Sequence, residues 1–123
     1  MKTNEIRIVI RKPRDEVFEY VLEPSNTHNW CRNIEHEEVD TEQIGIGTKY
    51  SNNFGILTVT DYERNVYFEL TEELTQYQCS YSFRNISDNE TELIYFESML
   101  DGSDLIEAFD EDYFEVLKDI LEK

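Results

Sequence analysis

The sequence predicts an α+β fold in which a curved antiparallel sheet is covered by a single long helix. Three observations predict it. Six segments between Asn33 and Leu100 read as consecutive strands joined by short turns. A further strand and a short helical stretch stand before them. An amphipathic helix follows Ser103, and no other element is long enough to cover the apolar face of such a sheet.

The elements follow in order. "NEIRIVIR" alternates Ile6, Ile8 and Ile10 with Arg7 and Arg11, the period of a half-buried strand. Pro13 suits a first helical turn, and Asp15 and Glu16 oppose the positive end of the helix dipole. Val17, Phe18, Val21 and Leu22 then form one apolar helical face. Pro24 ends that helix, because its ring disfavours helical geometry in the residue before it. "EPSNTHNWCRN" follows as a loop or a short second helix.

"NIEHEEV" opens the run of strands. "IGIGTKYS" comes next, its two glycines marking a turn or bulge that leads into a strand. "FGILTVTDYE" and "NVYFELTEE" form a hairpin about Glu63, Arg64 and Asn65. "TQYQCSYSFRN" has Tyr77, Cys79, Tyr81 and Phe83 on one face and Gln76, Gln78, Ser80 and Ser82 on the other. "SDNE" turns the chain into "TELIYFESML". Short turns between neighbours make the sheet antiparallel. That last strand is apolar on both faces, with Leu93, Tyr95 and Met99 against Ile94, Phe96 and Leu100. Either an outer apolar patch pairs two copies as a homodimer, or the register is ambiguous.

The final helix takes Asp104 as its N-cap, with Glu107 completing a capping pair. Ile106, Phe109, Tyr113, Val116, Leu117 and Ile120 share one side, and Asp110 projects between Leu117 and Leu121. The sheet must curl around this helix, and the side chains between them either meet or leave a hollow. No repeat or linker divides residues 1–123, which read as one domain.

Composition narrows the function. Aromatics at 13% are too many for a disordered acidic tail. Eleven Lys and Arg against 28 Asp and Glu leave a net charge of −17, which repels phosphate backbones and anionic headgroups. Nucleic acid and membrane insertion are therefore not expected. Lys2, Arg7, Arg11, Lys12 and Arg14 form the one basic grouping and read as solvated charges. With neither a signal-peptide core nor a membrane-length apolar run, the expected location is the cytoplasm. There Cys31 and Cys79 stay free thiols, and the sequons at Asn85 and Asn89 are turn residues.

"IRIVIRKPRDEVFEYVLEPSNTHNW" resembles the opening of polyketide cyclase/dehydrase-like proteins of the START-like (SRPBCC, birch-pollen-allergen-like) superfamily: a strand, a Pro-led helix with a "VF.Y" pattern, then a polar stretch ending in Trp. "IGIGTKY" is similar to that family's glycine-basic-aromatic strand, and "VYFEL", "YQCSYSFR" and the closing helix keep its order. The resemblance spans nearly the whole chain. It implies a helix-grip fold, with a seven-stranded sheet around the C-terminal helix and two short helices after the first strand. It also implies a hydrophobic cavity used for lipids, polyketides, hormones or quinones. Members include cyclases, carriers, receptors and chaperone co-activators, so the fold alone assigns no reaction.

In such a fold Trp30 lies by the mouth of the cavity, as part lid and part wall, or else fills the core there. Tyr50, Phe68, Tyr81, Phe83, Phe96, Phe109 and Tyr113 are the candidate wall, unless these rings fill the hollow completely. Inward tyrosines need partners, supplied by water or by a ligand with polar groups. His36 and Asp110 are candidate acid-base or ligand-anchoring groups if both point inward, the alternatives being a hydrogen-bonded histidine and a carboxylate reaching solvent. His28, Cys31 and His36 supply only three ligands at no standard spacing, so neither a metal nor another cofactor is expected.

Three functions fit these features: binding or carriage of a small hydrophobic molecule, a cyclase or dehydratase activity using cavity His, Asp or Tyr groups, and a co-chaperone-like protein-interaction module. No phosphate loop, nucleophile elbow or reactive-cysteine context is present, which favours binding over catalysis.

Overall fold

The computed structural model describes residues 3–105 and 108–123. Strand β1 (Asn4–Ile10) leads into α1 (Arg14–Leu22), a single 3-10 turn (Pro24–Asn26) and α2 (Thr27–Trp30). Six strands follow: β2 (Glu37–Val39), β3 (Lys49–Asn52), β4 (Gly55–Glu63), β5 (Tyr67–Glu72), β6 (Tyr77–Ser87) and β7 (Glu90–Met99). Helix α3 (Glu111–Leu121) completes the order. The strands form one antiparallel seven-stranded sheet, ordered β1-β7-β6-β5-β4-β3-β2.

Glu23 takes an extended conformation before Pro24, as the proline ring requires, and this ends α1. Gly47 lies at φ +93, where a side chain would be strained, while its N–H donates to the Val59 carbonyl at 2.8 Å. The expected hairpin bend between β4 and β5 is present, with Asn65 left-handed at φ 66. Register shifts at Val59/Asp61 and at Asn85/Ser87 mark irregularities of the bulge kind, which bend a strand and raise its twist.

Two expected elements are shorter in the structure. The strand read from Asn33 starts only at Glu37, so Ile34 and His36 lie outside it. The last helix starts at Glu111, with Asp110 rather than Asp104 as its N-cap. Ile106 and Glu107, which the sequence reading placed in its first turns, lie outside the described residues, as does Lys2 of the basic grouping. The reason for the late start is local. The Phe109 N–H donates to Glu97 Oε2 at 2.6 Å, and the Phe109 carbonyl accepts from Asn4 Nδ2 at 3.1 Å. Both groups are thus engaged outside any helix. Asp110 Oδ1 instead accepts the Asp112 N–H at 2.9 Å, and Glu111 and Asp112 sit in the first turn, where the dipole favours acids.

The buried stripe of α3 is centred on Phe114 and Leu117, with Tyr113, Val116, Ile120 and Leu121 half-buried beside them. Phe114 packs on Tyr95 of β7 at 5.1 Å and on Trp30 of α2 at 5.3 Å. At the C-terminal end of the helix, Glu122 accepts from the Arg11 N–H at 2.9 Å and from Lys118 Nζ at 2.6 Å, linking α3 to the end of β1. Phe18 of α1 meets Phe83 edge-on at 5.1 Å, and Ile10, Val17 and Leu93 are buried with them in the core. Among the described residues no helix is long and apolar enough to cross a membrane.

Candidate functional site

A partly open cavity of about 550 Å³ lies among the sheet, α2 and the residues that lead into α3. Its volume falls within the ~300–1,000 Å³ range of ligand pockets and is several times the ~150 Å³ that admits benzene. The rings leave room.

Seven of the expected site residues line it: Trp30, Tyr50, Phe68, Tyr81, Phe109, Asp110 and Tyr113. Trp30 closes the four-residue α2, is 1% exposed, and lies against Phe109 at 6.1 Å. Its indole Nε1 is buried, with no hydrogen-bond partner among the described residues. Phe68 and Tyr81 stack at 4.7 Å across the β5–β6 pair. The Tyr50 hydroxyl donates to the Leu22 carbonyl at 2.6 Å, tying β3 to the end of α1. Burial, with Glu37 nearby, pushes the Tyr50 phenol pKa upward, so it remains a donor.

The other three are placed elsewhere. His36 stands outside the cavity, its side chain 67% exposed and 3.1 Å from Glu38. The alternation on β2 begins at Glu37, which turns Glu37 inward in its place. Phe96 lies on the outer face at 38% exposure, across from Glu5 on β1 and Ser80 on β6. This resolves the two apolar faces of β7: Leu93, Tyr95 and Glu97 point in. Phe83 does not itself line the cavity; it is buried behind the lining residue Phe68 and packs on Phe18. Asp110 caps α3 and borders the cavity, rather than projecting between Leu117 and Leu121. The His36–Asp110 pair is therefore not assembled in the cavity. Of the three zinc-ligand candidates, His28 is exposed and Cys31 Sγ donates to Asn33 Oδ1 at 2.9 Å.

Three carboxylates of the lining, Glu37, Glu72 and Glu97, are not among the residues expected from the sequence. Glu37 Oε1 accepts from Thr27 Oγ1 at 2.7 Å, and its Oε2 accepts from Asn52 Nδ2 at 3.0 Å. Burial outweighs these donors and raises its pKa above 4.5. Glu97 is only 1% exposed. Tyr77 donates to its Oε1 at 2.6 Å, while the Tyr95 hydroxyl lies 2.9 Å from the Tyr77 oxygen and 3.3 Å from that same Oε1. Asn4 Nδ2 donates to Oε2 at 2.7 Å, alongside the Phe109 N–H. Burial, with Cys79 and Glu97 adding to it, holds Tyr77 protonated. Cys31 and Cys79 are pushed to about 12, chiefly by burial, which leaves both as unreactive thiols. In the sequence these acids look like ordinary surface charge. The signal for Glu97 was parity alone, since it shares a face with Tyr95.

No family model matches the chain, and no curated protein matches it. Solved structures do. A conserved protein of unknown function from Enterococcus faecalis aligns with a TM-score of 0.74 at 15% identity, over 98% of this chain and 71% of that one. The Aha1 dimer from Colwellia psychrerythraea aligns with a TM-score of 0.71 at 15% identity, over 99% and 97%. An HSP90 activator from Plasmodium falciparum aligns with a TM-score of 0.68 at 17% identity, over 85% and 77%. At these identities the likeness is one of fold: an α+β helix-grip architecture shared across nearly the whole chain.

Proposed function

We propose that the chain is a single binding or carrier domain for a small hydrophobic molecule, acting in the cytosol and related to the START-like proteins its sequence resembles. The cavity of about 550 Å³ carries the reading. Aromatic rings such as Trp30, Phe68, Tyr81 and Phe109 stand in its wall beside aliphatic side chains such as Val21, Leu57 and Leu70. A dry cavity of this size would otherwise leave its lining without van der Waals partners. A cyclase reading loses one of its acid-base candidates, because His36 stands outside the cavity, while Asp110 borders it. The test is native mass spectrometry of protein purified from its host. A co-purifying apolar compound supports binding; bare protein that also takes up no neutral dye such as Nile red refutes it.

A second reading is favoured by two of the fold neighbours, the Aha1 dimer and the HSP90 activator. Phe54, Leu74 and Leu100 are exposed apolar side chains on loops, of which Phe54 borders the cavity. In that reading they form a protein-binding face. Stimulation of Hsp90 ATPase by this chain, lost on Phe54→Ser, would favour it over small-molecule carriage.

A further inference from the structure

The cavity is apolar in its walls but one-sided in its charge. Its lining includes four carboxylate side chains, from Glu37, Glu72, Glu97 and Asp110, and among the described residues no Lys, Arg or His. A carboxylate or phosphate ligand would enter against all four and find no cation to meet it. Over the whole chain the net charge of −17 opposes anions in the same way.

The four acids are not equivalent. Both Glu97 oxygens are already engaged, by Tyr77 and Tyr95 on one side and by Asn4 and Phe109 on the other. Asp110 caps α3. Glu72 sits beside Gly55 at the hairpin tip. Glu37 has one donor on each oxygen, Thr27 and Asn52, and among the described residues no cationic partner, although its side chain turns inward. A carboxylate oxygen accepts more than one hydrogen bond, so each retains capacity. An inward carboxylate with spare acceptor capacity thus stands in an aromatic-lined hollow whose described lining holds no cation.

Resting on the binding function proposed above, we infer that the ligand is an apolar amine, its ammonium group seated on Glu37 and its body among the rings of Trp30, Tyr81 and Phe109. Two contributions favour this class. The ammonium makes a charge-assisted hydrogen bond to a partly desolvated carboxylate. Aromatic faces attract a cation passing over them. A fatty acid of the same length gains only the burial of its chain, and its carboxylate is repelled.

The test is calorimetric titration at about pH 7 with a methoxynaphthyl-ethyl skeleton carrying an amine, an alcohol or a carboxylic acid in turn. The amine is expected to bind about tenfold tighter than the alcohol, and the acid weakest. Glu37→Gln should remove the amine's advantage and bring it down to about the alcohol's affinity in the same variant. Glu38→Gln removes an exposed charge next in sequence and should change neither. An amine that binds no tighter than the alcohol, or a preference that survives Glu37→Gln, overturns the inference. Should that variant not fold, the comparison on the unmodified chain decides alone. Failure of all three compounds also overturns it, and Nile red then separates the two levels: uptake of the dye leaves the cavity reading standing, and no uptake removes both.

Discussion

The Glu97 carboxylate accepts the backbone N–H of Phe109 at 2.6 Å, across a separation of 12 residues. This contact joins the end of β7 to the segment that leads into α3, and Asn4 on β1 completes it from the other side. The position of Phe109 in the cavity wall depends on a buried acid.

Glu97→Ala should therefore destabilise by about 3 kcal/mol or more, because it leaves several buried donors unsatisfied at ~1–3 kcal/mol each. Glu97→Gln should fall between that variant and the parent, since its amide NH₂ confronts donors. Urea unfolding measures both. Hydrogen exchange adds a local readout: the Phe109 amide is protected in the parent and exposed first in Glu97→Ala. Fast exchange at Phe109 in the parent would show that the contact does not persist.

Trp30→Ala should cost about 3–5 kcal/mol, the usual loss for a buried ring of this size. Trp30→Phe keeps an aromatic against Phe109 and Phe114 and removes the unpartnered N–H. Its cost should be clearly smaller, about 1–2 kcal/mol, because the lost volume is offset by the loss of an unsatisfied donor. Equal costs for the two variants would mean that the indole N–H is bonded in solution.

Glu37 sets a pH dependence. Its carboxyl pKa is raised above 4.5 in the fold, mainly by burial, so the folded chain binds its proton more tightly than the unfolded chain does. That contribution is fully present below the unfolded value and is lost as pH rises through the folded one. Unfolding free energies of the parent and Glu37→Gln, compared at about pH 7 and about pH 5, should shift in favour of the parent at the lower pH. A difference independent of pH would place Glu37 in solvent.

Both cysteines should resist alkylation. With thiol pKa values near 12, neither forms appreciable thiolate at about pH 8. Intact-mass measurement after iodoacetamide should show no adduct on the native chain and two after unfolding in urea. Rapid modification of Cys31 alone would mean that the cavity wall opens at α2.

Much of the fold was legible because its strands alternate cleanly. Tyr77, Cys79, Tyr81 and Phe83 face inward as their period implies, and Pro13 and Pro24 bracket α1. The site was harder to read for reasons of parity. A strand that reached back to Asn33 would turn His36 inward with Ile34, whereas β2 starts at Glu37, and Glu37 takes the inward place of His36. Phe96 and Tyr95 are both apolar enough to face a core, so their order could not be chosen without the pairing to β1 and β6. The expected start of α3 at Asp104 rests on its capping pair with Glu107, whereas the helix is capped by Asp110. A contact with Glu97 decides between them.

The pairing of β1 with β7 sets Asn4 against Glu97 and Ile10 against Thr91. On a ribosome the first strand therefore emerges with its backbone groups unclaimed and waits for nearly the whole sheet to follow. Such distant closure slows folding toward the millisecond-to-second regime and leaves an apolar ribbon open to wrong neighbours meanwhile. Arg7, set along that ribbon, is a charge of the kind that discourages two nascent copies from joining edge to edge.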